Sequence, residues 1–267
     1  MEIPKIIHYC WFGRNQLPED AVKCINSWKK FFPGYEIREW NEDNFDINIC
    51  AYVKEAYDNK RWAFVSDYAR FWILYNYGGL YFDTDVEAIK SFDDILRDGP
   101  YMGCEPAKGK DLTLANGVVV NPGLGMGAYP GMTIYKDVLD YYNKKHFDAD
   151  DLVTVCRHTT TILVQHGFKG INGVEYIDNV KIYPIEYFCP MNYFTGELSI
   201  GDNTHSIHHY SETWHTEREM KFRKIKDKLE HKYGDGITKK FLFKVFRNLY
   251  CYGVVESLKR MRRRHGK

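Results

Sequence analysis

Two aspartates one residue apart, Asp83 and Asp85, are set in the apolar run "GGLYFDTDVEAI". On an extended strand residues i and i+2 point to one face, so the spacing predicts two carboxylates about 6–7 Å apart at Cα and facing together. Bare carboxylates buried that close repel, and one tends to keep its proton. A divalent cation removes the conflict, because oxygen-rich sites suit Mg2+ or Mn2+. A strand end in water would hold the same acids without a metal, and a lone Asp-x-Asp occurs by chance in many chains. The neighbourhood adds weight. Asp67 and Arg70 stand three apart in "RWAFVSDYARFWILYNYGG" and so share a helix face. An exposed pair of this kind contributes little, but the helix is otherwise apolar and a charge pair inside it needs a reason.

The elements that must position these groups follow from periodicity. "KIIHYCWFG" (5–13) reads as a first strand, and "PEDAVKCINSWKKFF" (18–32) as a helix whose apolar residues Ala21, Val22, Ile25 and Trp28 recur at helical spacing. "YEIREW" (35–40) alternates as a second strand, 48–59 is helical, and 61–79 forms an apolar helix closed by glycines. "LYFDTDVEAI" follows as one strand. Further strands are expected at 101–105, 116–121, 180–190 and 204–211, and helices in "GMTIYKDVLDYYNKKH" and "TTTILVQHG". Strand and helix alternate through the first hundred residues, which predicts parallel βαβ units and an α/β nucleotide-binding fold.

The 267 residues suffice for one large domain, with 21 Tyr, 16 Phe and 6 Trp. The seven cysteines show no metal or redox spacing and read as reduced, mostly buried thiols, which suits a cytoplasmic protein. No leader peptide and no run of eighteen apolar residues is found, so no membrane-spanning helix is expected. A net charge of +1 conceals an asymmetry: residues 217–267 carry 17 Lys and Arg against 6 Asp and Glu, about +11, which leaves about −10 for residues 1–216. The sequence therefore divides into a main domain, 1–216, and a basic helical C-terminal extension, 217–267. The extension lacks any nucleic-acid-binding module. It reads either as a peripheral anchor on the anionic inner face of a membrane or as a packed helical appendage with a solvated basic end.

"SDYARFWILYNYGGLYFDTD" resembles the Ser-Asp-x-x-Arg … Gly-Gly-x-Tyr-x-Asp-x-Asp signature of the family 32 glycosyltransferases, a group related to capsule and lipopolysaccharide sugar transferases, yeast Golgi mannosyltransferase-like proteins and the glucosylating domains of clostridial toxins. "IPKIIHYCWFG" and "SWKKFFPGYEIREWNEDN" are similar to the same families' N-terminus. The resemblance implies a GT-A (Rossmann-like) fold that binds a nucleotide sugar together with Mn2+ or Mg2+. It implies that Trp11 stacks on the donor's base, that Asp67 and Arg70 hold the sugar hydroxyls and the diphosphate side, and that Tyr81 lies near the phosphates. Asp83 then contacts ribose, sugar or metal-bound water, and Asp85 ligates the metal directly. "SIHHYSETWH" supplies the late ligand, His209 with His208 as the alternate, and the phosphate contacts Ser211 and Trp214. "NGVVVNPGLG" places Asn116 near the donor sugar, and Thr160 of "HTTT" falls where the family has an acceptor-region motif. The alternative for Trp11 is a core residue at a strand end, with stacking the favoured reading, and a histidine pair on a strand is often structural.

The expected activity is a metal-dependent, retaining hexosyl transfer from a nucleotide sugar to a glycan or lipid-linked oligosaccharide acceptor in bacterial surface polysaccharide synthesis. The expected donor is a UDP-sugar, with GDP-mannose the alternative. Three other readings stand beside it: a nucleotide-sugar-binding protein, a toxin-like effector that glycosylates protein, and a glycoside hydrolase. The last needs carboxylates on opposite sides of the scissile bond, whereas acids two apart on one strand face the same way.

Overall fold

Strand β1 (Ile6–Cys10), helix α1 (Glu19–Phe31) and strand β2 (Glu36–Trp40) form a right-sized βαβ unit, with β1 and β2 parallel and Ile7 opposite Ile37. The apolar stripe of α1 explains its docking: Ala21, Cys24, Ile25 and Trp28 are buried, and Trp28, wholly enclosed, donates its indole N–H to the Val86 carbonyl at 2.8 Å. Helices α2 (Ala51–Asp58) and α3 (Trp62–Tyr77) lead to β3 (Gly79–Tyr81), which pairs parallel with β1 on the side away from β2. The computed structural model describes residues 2–211, apart from 109, 110, 112, 150, 151 and 194, and, beyond them, residues 218, 221, 222, 225, 226, 229, 243, 245, 246, 248–254 and 257.

Helix α3 is apolar nearly all round, and such a helix must be buried on most faces; ten of its sixteen residues are buried, Asp67 and Arg70 among them. It ends at Gly78 (φ 63°) and Gly79 (φ 92°), a backbone that L-residues rarely adopt. A Cβ on Gly79 would sit 2.7 Å from the Ile6 carbonyl oxygen, so the pair also lets the chain turn straight from helix into sheet against β1.

The expected single strand "LYFDTDVEAI" is broken. The chain leaves the sheet after Tyr81, turns through Asp83–Asp85 with the Val86 N–H donating to the Asp83 carbonyl (3.1 Å), and resumes as β4 (Val86–Ala88) in a separate two-stranded sheet. After α4 (Asp93–Arg97) come β5 (Tyr101–Pro106), β6 (Val118–Val120), β7 (Met126–Ala128), α5 (Thr133–Asn143) and α6 (Val155–Gln165). Strands β8 (Glu175–Ile177), β9 (Val180–Tyr183) and β10 (Ser206–His208) complete the set. The main sheet runs β2-β1-β3-β7-β5-β9-β8, with β6 paired to β5; β7, β6 and β8 are antiparallel to their neighbours and the rest run parallel. The α/β class and the Rossmann-like, GT-A layout expected from the sequence are therefore present, with β7 inserted antiparallel at the centre. The short strands β7 and β8 had no counterpart in the sequence reading. Helix α6 starts at Val155, four residues before the expected run, because Thr154 accepts the Arg157 N–H at its start.

The chain forms two compact units, residues 1–211 and 212–267. In the second, the Phe222 ring packs against Phe243, Phe246 and Tyr250. Among the described residues no helix is long and apolar enough to cross a membrane. All seven cysteines are free thiols, six of them buried.

Candidate active site

The C-terminal ends of parallel strands are where α/β folds leave a crevice for ligands. At the ends of β1 and β2 lies a cavity of about 220 Å3 lined by Trp11, Arg14, Asn15, Glu39, Asn41 and Glu42. Trp11 is half-buried, packing against the core while it lines this cavity, and its indole N–H donates to the Asn15 carbonyl at 2.7 Å.

At the end of β3 the charged groups meet. Arg70 Nη2 donates to Asp67 Oδ1 at 2.9 Å, Nη1 reaches Asp83 Oδ2 at 3.4 Å, and Nε donates to the Ser66 carbonyl. The planar guanidinium thus spans two carboxylates, which an ammonium could not do. The Tyr81 hydroxyl donates to Asp83 Oδ1 at 3.0 Å, and its ring lies 5.0 Å from the Arg70 guanidinium carbon. Burial raises the Asp67 carboxyl to about 7, Arg70 opposing the rise and Asp83 adding to it. Burial also works against the Arg70 charge, but Asp83, Tyr81 and Asp67 together hold its pKa above the ordinary value.

Asp85 faces the returning segment. Strand β10 pairs antiparallel with β4, His208 opposite Val86, and the His209 N–H donates to the Asp85 carbonyl at 2.9 Å. This brings His208 Nε2 to 3.2 Å from Asp85 Oδ1, while the Ser211 N–H donates to Asp85 Oδ2 at 2.9 Å. Burial pushes the Asp85 carboxyl up, yet the His208 charge and the bonds from His208 and Ser211 outweigh it and hold the carboxyl down at about 2. Asp83, Asp85 and His208 offer ligand atoms that all lie within 4.8 Å of one another. His208 Nδ1 is buried and without a partner.

Three sequence expectations change at this level. The two aspartates converge through a turn, not by sharing one face of a straight strand. His209, the expected late ligand, points the other way and pairs with Glu87 at 2.9 Å, because neighbours on a strand alternate sides and the β4 register turns His208 inward. Asn116 is exposed in a left-handed turn (φ 55°) with its amide donating to the Lys169 carbonyl; the asparagine at the site is Asn121. Asn121 Oδ1 accepts the Gly123 N–H at 2.7 Å, and the Gly123 carbonyl accepts the Asp83 N–H at 3.1 Å. A Cβ on Gly123 would fall 2.1 Å from Asp83 Oδ2, so that turn is the floor under the carboxylate. The Asn-Pro-Gly triplet was the available signal for this turn. Thr160 is buried and fully occupied, accepting the Val120 N–H and donating to the Cys156 carbonyl. Trp214 lies outside the described residues.

Residues 18–101, from the start of α1 to the start of β5, match the family described as "Glycosyltransferase sugar-binding region containing DXD motif". The chain is 27% identical over 199 residues to "Uncharacterized glycosyltransferase L373" of Acanthamoeba polyphaga mimivirus, covering 72% of this chain and 75% of the viral protein. It is 34% identical over 102 residues to "Inositol phosphoceramide mannosyltransferase 3" of Schizosaccharomyces pombe, covering 35% of this chain and 27% of the yeast protein. Among solved structures it is similar to "PaToxG Glycosyltransferase", with a TM-score of 0.44, 17% identity, and coverage of 61% of this chain and 69% of that one. The DXD match lies over the segment that carries Asp67, Arg70, Asp83 and Asp85, so residues 18–101 are similar to the sugar-binding region of DXD-containing glycosyltransferases.

Proposed function

We propose that the chain transfers a hexosyl group from a nucleoside diphosphate sugar, held with Mn2+ or Mg2+, to a hydroxyl of a glycan or lipid-linked acceptor. The observation that carries this is the convergence of Asp83, Asp85 and His208, with ligand atoms within 4.8 Å of one another. Two carboxylates at that spot would repel a diphosphate. Oxygen ligands with one imidazole fit Mn2+, and the unpartnered His208 Nδ1 marks a histidine whose surroundings are incomplete as they stand. When bound there, the cation offsets the negative charge that gathers on the departing diphosphate.

The chain's own residues divide the remaining work. Trp11 supplies the stacking face for the base in the cavity at the ends of β1 and β2. Arg70 adds a fixed positive charge on the diphosphate side, and Asp67, oriented by Arg70, accepts from sugar hydroxyls. Tyr81 holds Asp83 in place, and the Ser211 segment covers Asp85. In the transfer, the bond from the anomeric carbon to the acceptor oxygen forms as the bond to the phosphate oxygen breaks. The electron pair leaves with the diphosphate, and the acceptor proton passes to a phosphate oxygen. This same-face displacement retains configuration, and the absence of an uncommitted carboxylate nucleophile among the described site residues supports it: the nearby Glu105 carboxylate is engaged by Asn121 and Tyr210. A hydrolase is disfavoured because Asp83 and Asp85 meet at one point instead of flanking a bond.

The donor is proposed to be a UDP-sugar. The acceptor is proposed to belong to a bacterial surface polysaccharide, presented at an anionic membrane toward which residues 217–267, about +11 in charge, would be drawn. A thermal-shift panel of UDP- and GDP-sugars with and without Mn2+ tests the core of this. A UDP-sugar plus Mn2+ is expected to raise the unfolding temperature by several degrees, as binding at about a hundred times Kd adds about 2.7 kcal/mol. No response to any nucleotide sugar in either condition would sink the proposal, and a response confined to GDP-sugars would replace the donor.

A further inference from the structure

Glu105 stands near the end of β5 with its side chain 8% exposed, outside the DXD match. A carboxylate that deep is costly unless its oxygens are hydrogen-bonded, and its Oε2 is bonded from two directions. Asn121 Nδ2 donates to it at 3.0 Å and the Tyr210 hydroxyl at 3.1 Å. These partners belong to the two separate walls of the site. Asn121 holds Gly123, whose carbonyl takes the Asp83 N–H. Tyr210 lies between His208 and Ser211, the two residues that approach Asp85, and its ring is 4.3 Å from the His208 ring.

Tyr210 also has a positive φ, 51°, a conformation a bulky residue keeps only when its surroundings impose it. Several contacts do so. Cys189 Sγ is 2.9 Å from the Tyr210 hydroxyl, the Tyr193 ring packs edge-on at 5.0 Å, and Lys108 Nζ lies over both rings at 3.5 and 4.7 Å. The same ammonium is 4.0 Å from Glu105 Oε1. Asp83 and His208 are 125 positions apart in sequence, and the Glu105 carboxylate is a single group that bonds to the support of each.

We propose that Glu105 is a positioning residue of the transferase site: its carboxylate fastens Tyr210 to the Asn121–Gly123 turn, and so fixes the strained 208–211 segment with His208 against Asp85. The consequence for metal rests on the function proposed above; the fastening itself does not.

The test therefore begins with the full chain free of metal and donor. Hydrogen exchange of the 206–211 amides, read by mass spectrometry, is expected to quicken about tenfold or more in Tyr210→Phe and in Glu105→Ala, the scale of losing a bond to a charged acceptor. Exchange in β1 and β3 stays as it was. Glu105→Gln, which still offers an amide oxygen, recovers most of the protection. The double variant Glu105→Ala/Tyr210→Phe exchanges more slowly than the product of the two single accelerations predicts, as two ends of one contact should, the Cys189 contact being the part that Tyr210→Phe removes separately. Mn2+ alone is then titrated: its Kd is expected to weaken about fivefold or more in Tyr210→Phe, and binding to be lost in His208→Ala. Unchanged exchange of the segment in Tyr210→Phe overturns the proposal, and so does acceleration spread equally over β1 and β3. If the native chain binds Mn2+ no better than His208→Ala, the metal reading of the site falls while the exchange data still decide the role of Glu105.

Discussion

Arg70 concentrates the chemistry of the site in one side chain. Its guanidinium is 3% exposed and lies between Asp67 at 2.9 Å and Asp83 at 3.4 Å. A buried ion pair of this kind is weak evidence for stability, because desolvation offsets much of the attraction. Its geometry suits the role proposed above, a rigid cation beside a diphosphate. Arg70→Lys is therefore expected to keep the fold and the Mn2+ site but to lower kcat/KM by about 10²-fold or more, since an ammonium cannot bridge both carboxylates and face the phosphate together. Arg70→Ala strands the buried Asp67 carboxylate beside the half-buried Asp83 and is expected to cost about 3 kcal/mol in urea denaturation. Steady-state rates and unfolding midpoints measured side by side separate the two effects. A lysine variant with native kcat/KM would remove Arg70 from the chemistry.

At the scale of elements, the site is assembled by turns rather than by strands. The helix α3 and its glycine stop were legible because apolar periodicity and a Gly-Gly end are local signals, and they gave Asp67, Arg70 and the start of the strand β3. The break after Tyr81 was not legible. The run "LYFDTDVEAI" keeps the composition of a strand throughout, and the turn is imposed from afar, by Gly123 accepting the Asp83 N–H and by β10 pairing with β4. Which histidine faces inward was likewise undecidable from spacing alone, since alternation fixes only that His208 and His209 point apart. The register of β10 on β4 makes the choice. The family resemblance points to Asn116, which is exposed and bonded to the Lys169 carbonyl, whereas the Asn-Pro-Gly turn at Asn121 makes the contact with the Asp83 turn. Gly123 offers the sharpest check on this element. Its missing side chain is occupied by Asp83 Oδ2, which a Cβ would approach to 2.1 Å, far inside contact distance. Gly123→Ala is expected to displace the Asp83 carboxylate, cutting kcat/KM about 10²-fold, the penalty of misplacing a positioned group by about 1 Å. Circular dichroism should stay native, and Mn2+ binding should weaken. Native activity in Gly123→Ala would show that the Asp83 position is not demanding.

For the first unit as a whole, acid stability rests on three buried groups that pull in opposite directions. His8 is enclosed in the sheet, accepting the Trp40 indole N–H on Nδ1 at 3.0 Å and donating from Nε2 to the Gly78 carbonyl at 3.1 Å. A proton on Nδ1 would break the first bond, and burial holds the His8 pKa down to about 4. His158, bonded to the Tyr141 hydroxyl, is likewise lowered to about 4, first by burial and then by Lys145 and Arg157. Both are depressed below their unfolded value, so between pH 6.5 and 4 the unfolded chain binds protons that the folded one refuses. Stability from each is present above pH 6.5 and lost as pH falls, by roughly 3 kcal/mol per histidine across that window. Asp67 acts in reverse. Its carboxyl is raised to about 7, so on acidification the folded state takes up a proton that the unfolded state does not, and stability is gained by roughly 3 kcal/mol over the same window. Asp85, held at about 2, titrates below the window and leaves the balance unchanged. The two falling contributions outweigh the rising one, so the native chain should lose stability between pH 6.5 and 4. His8→Asn removes one falling contribution and is expected to flatten the profile, at some cost in absolute stability. Asp67→Asn removes the rising one and should roughly double the loss, even though it abolishes a buried charge and is expected to be the more stable chain at pH 8. Urea midpoints at pH 8, 6.5, 5 and 4 give all three slopes. If His8→Asn and Asp67→Asn move the slope in the same direction, the opposed signs assigned to these groups are wrong, and Asp67 is ionised within its pair with Arg70 throughout.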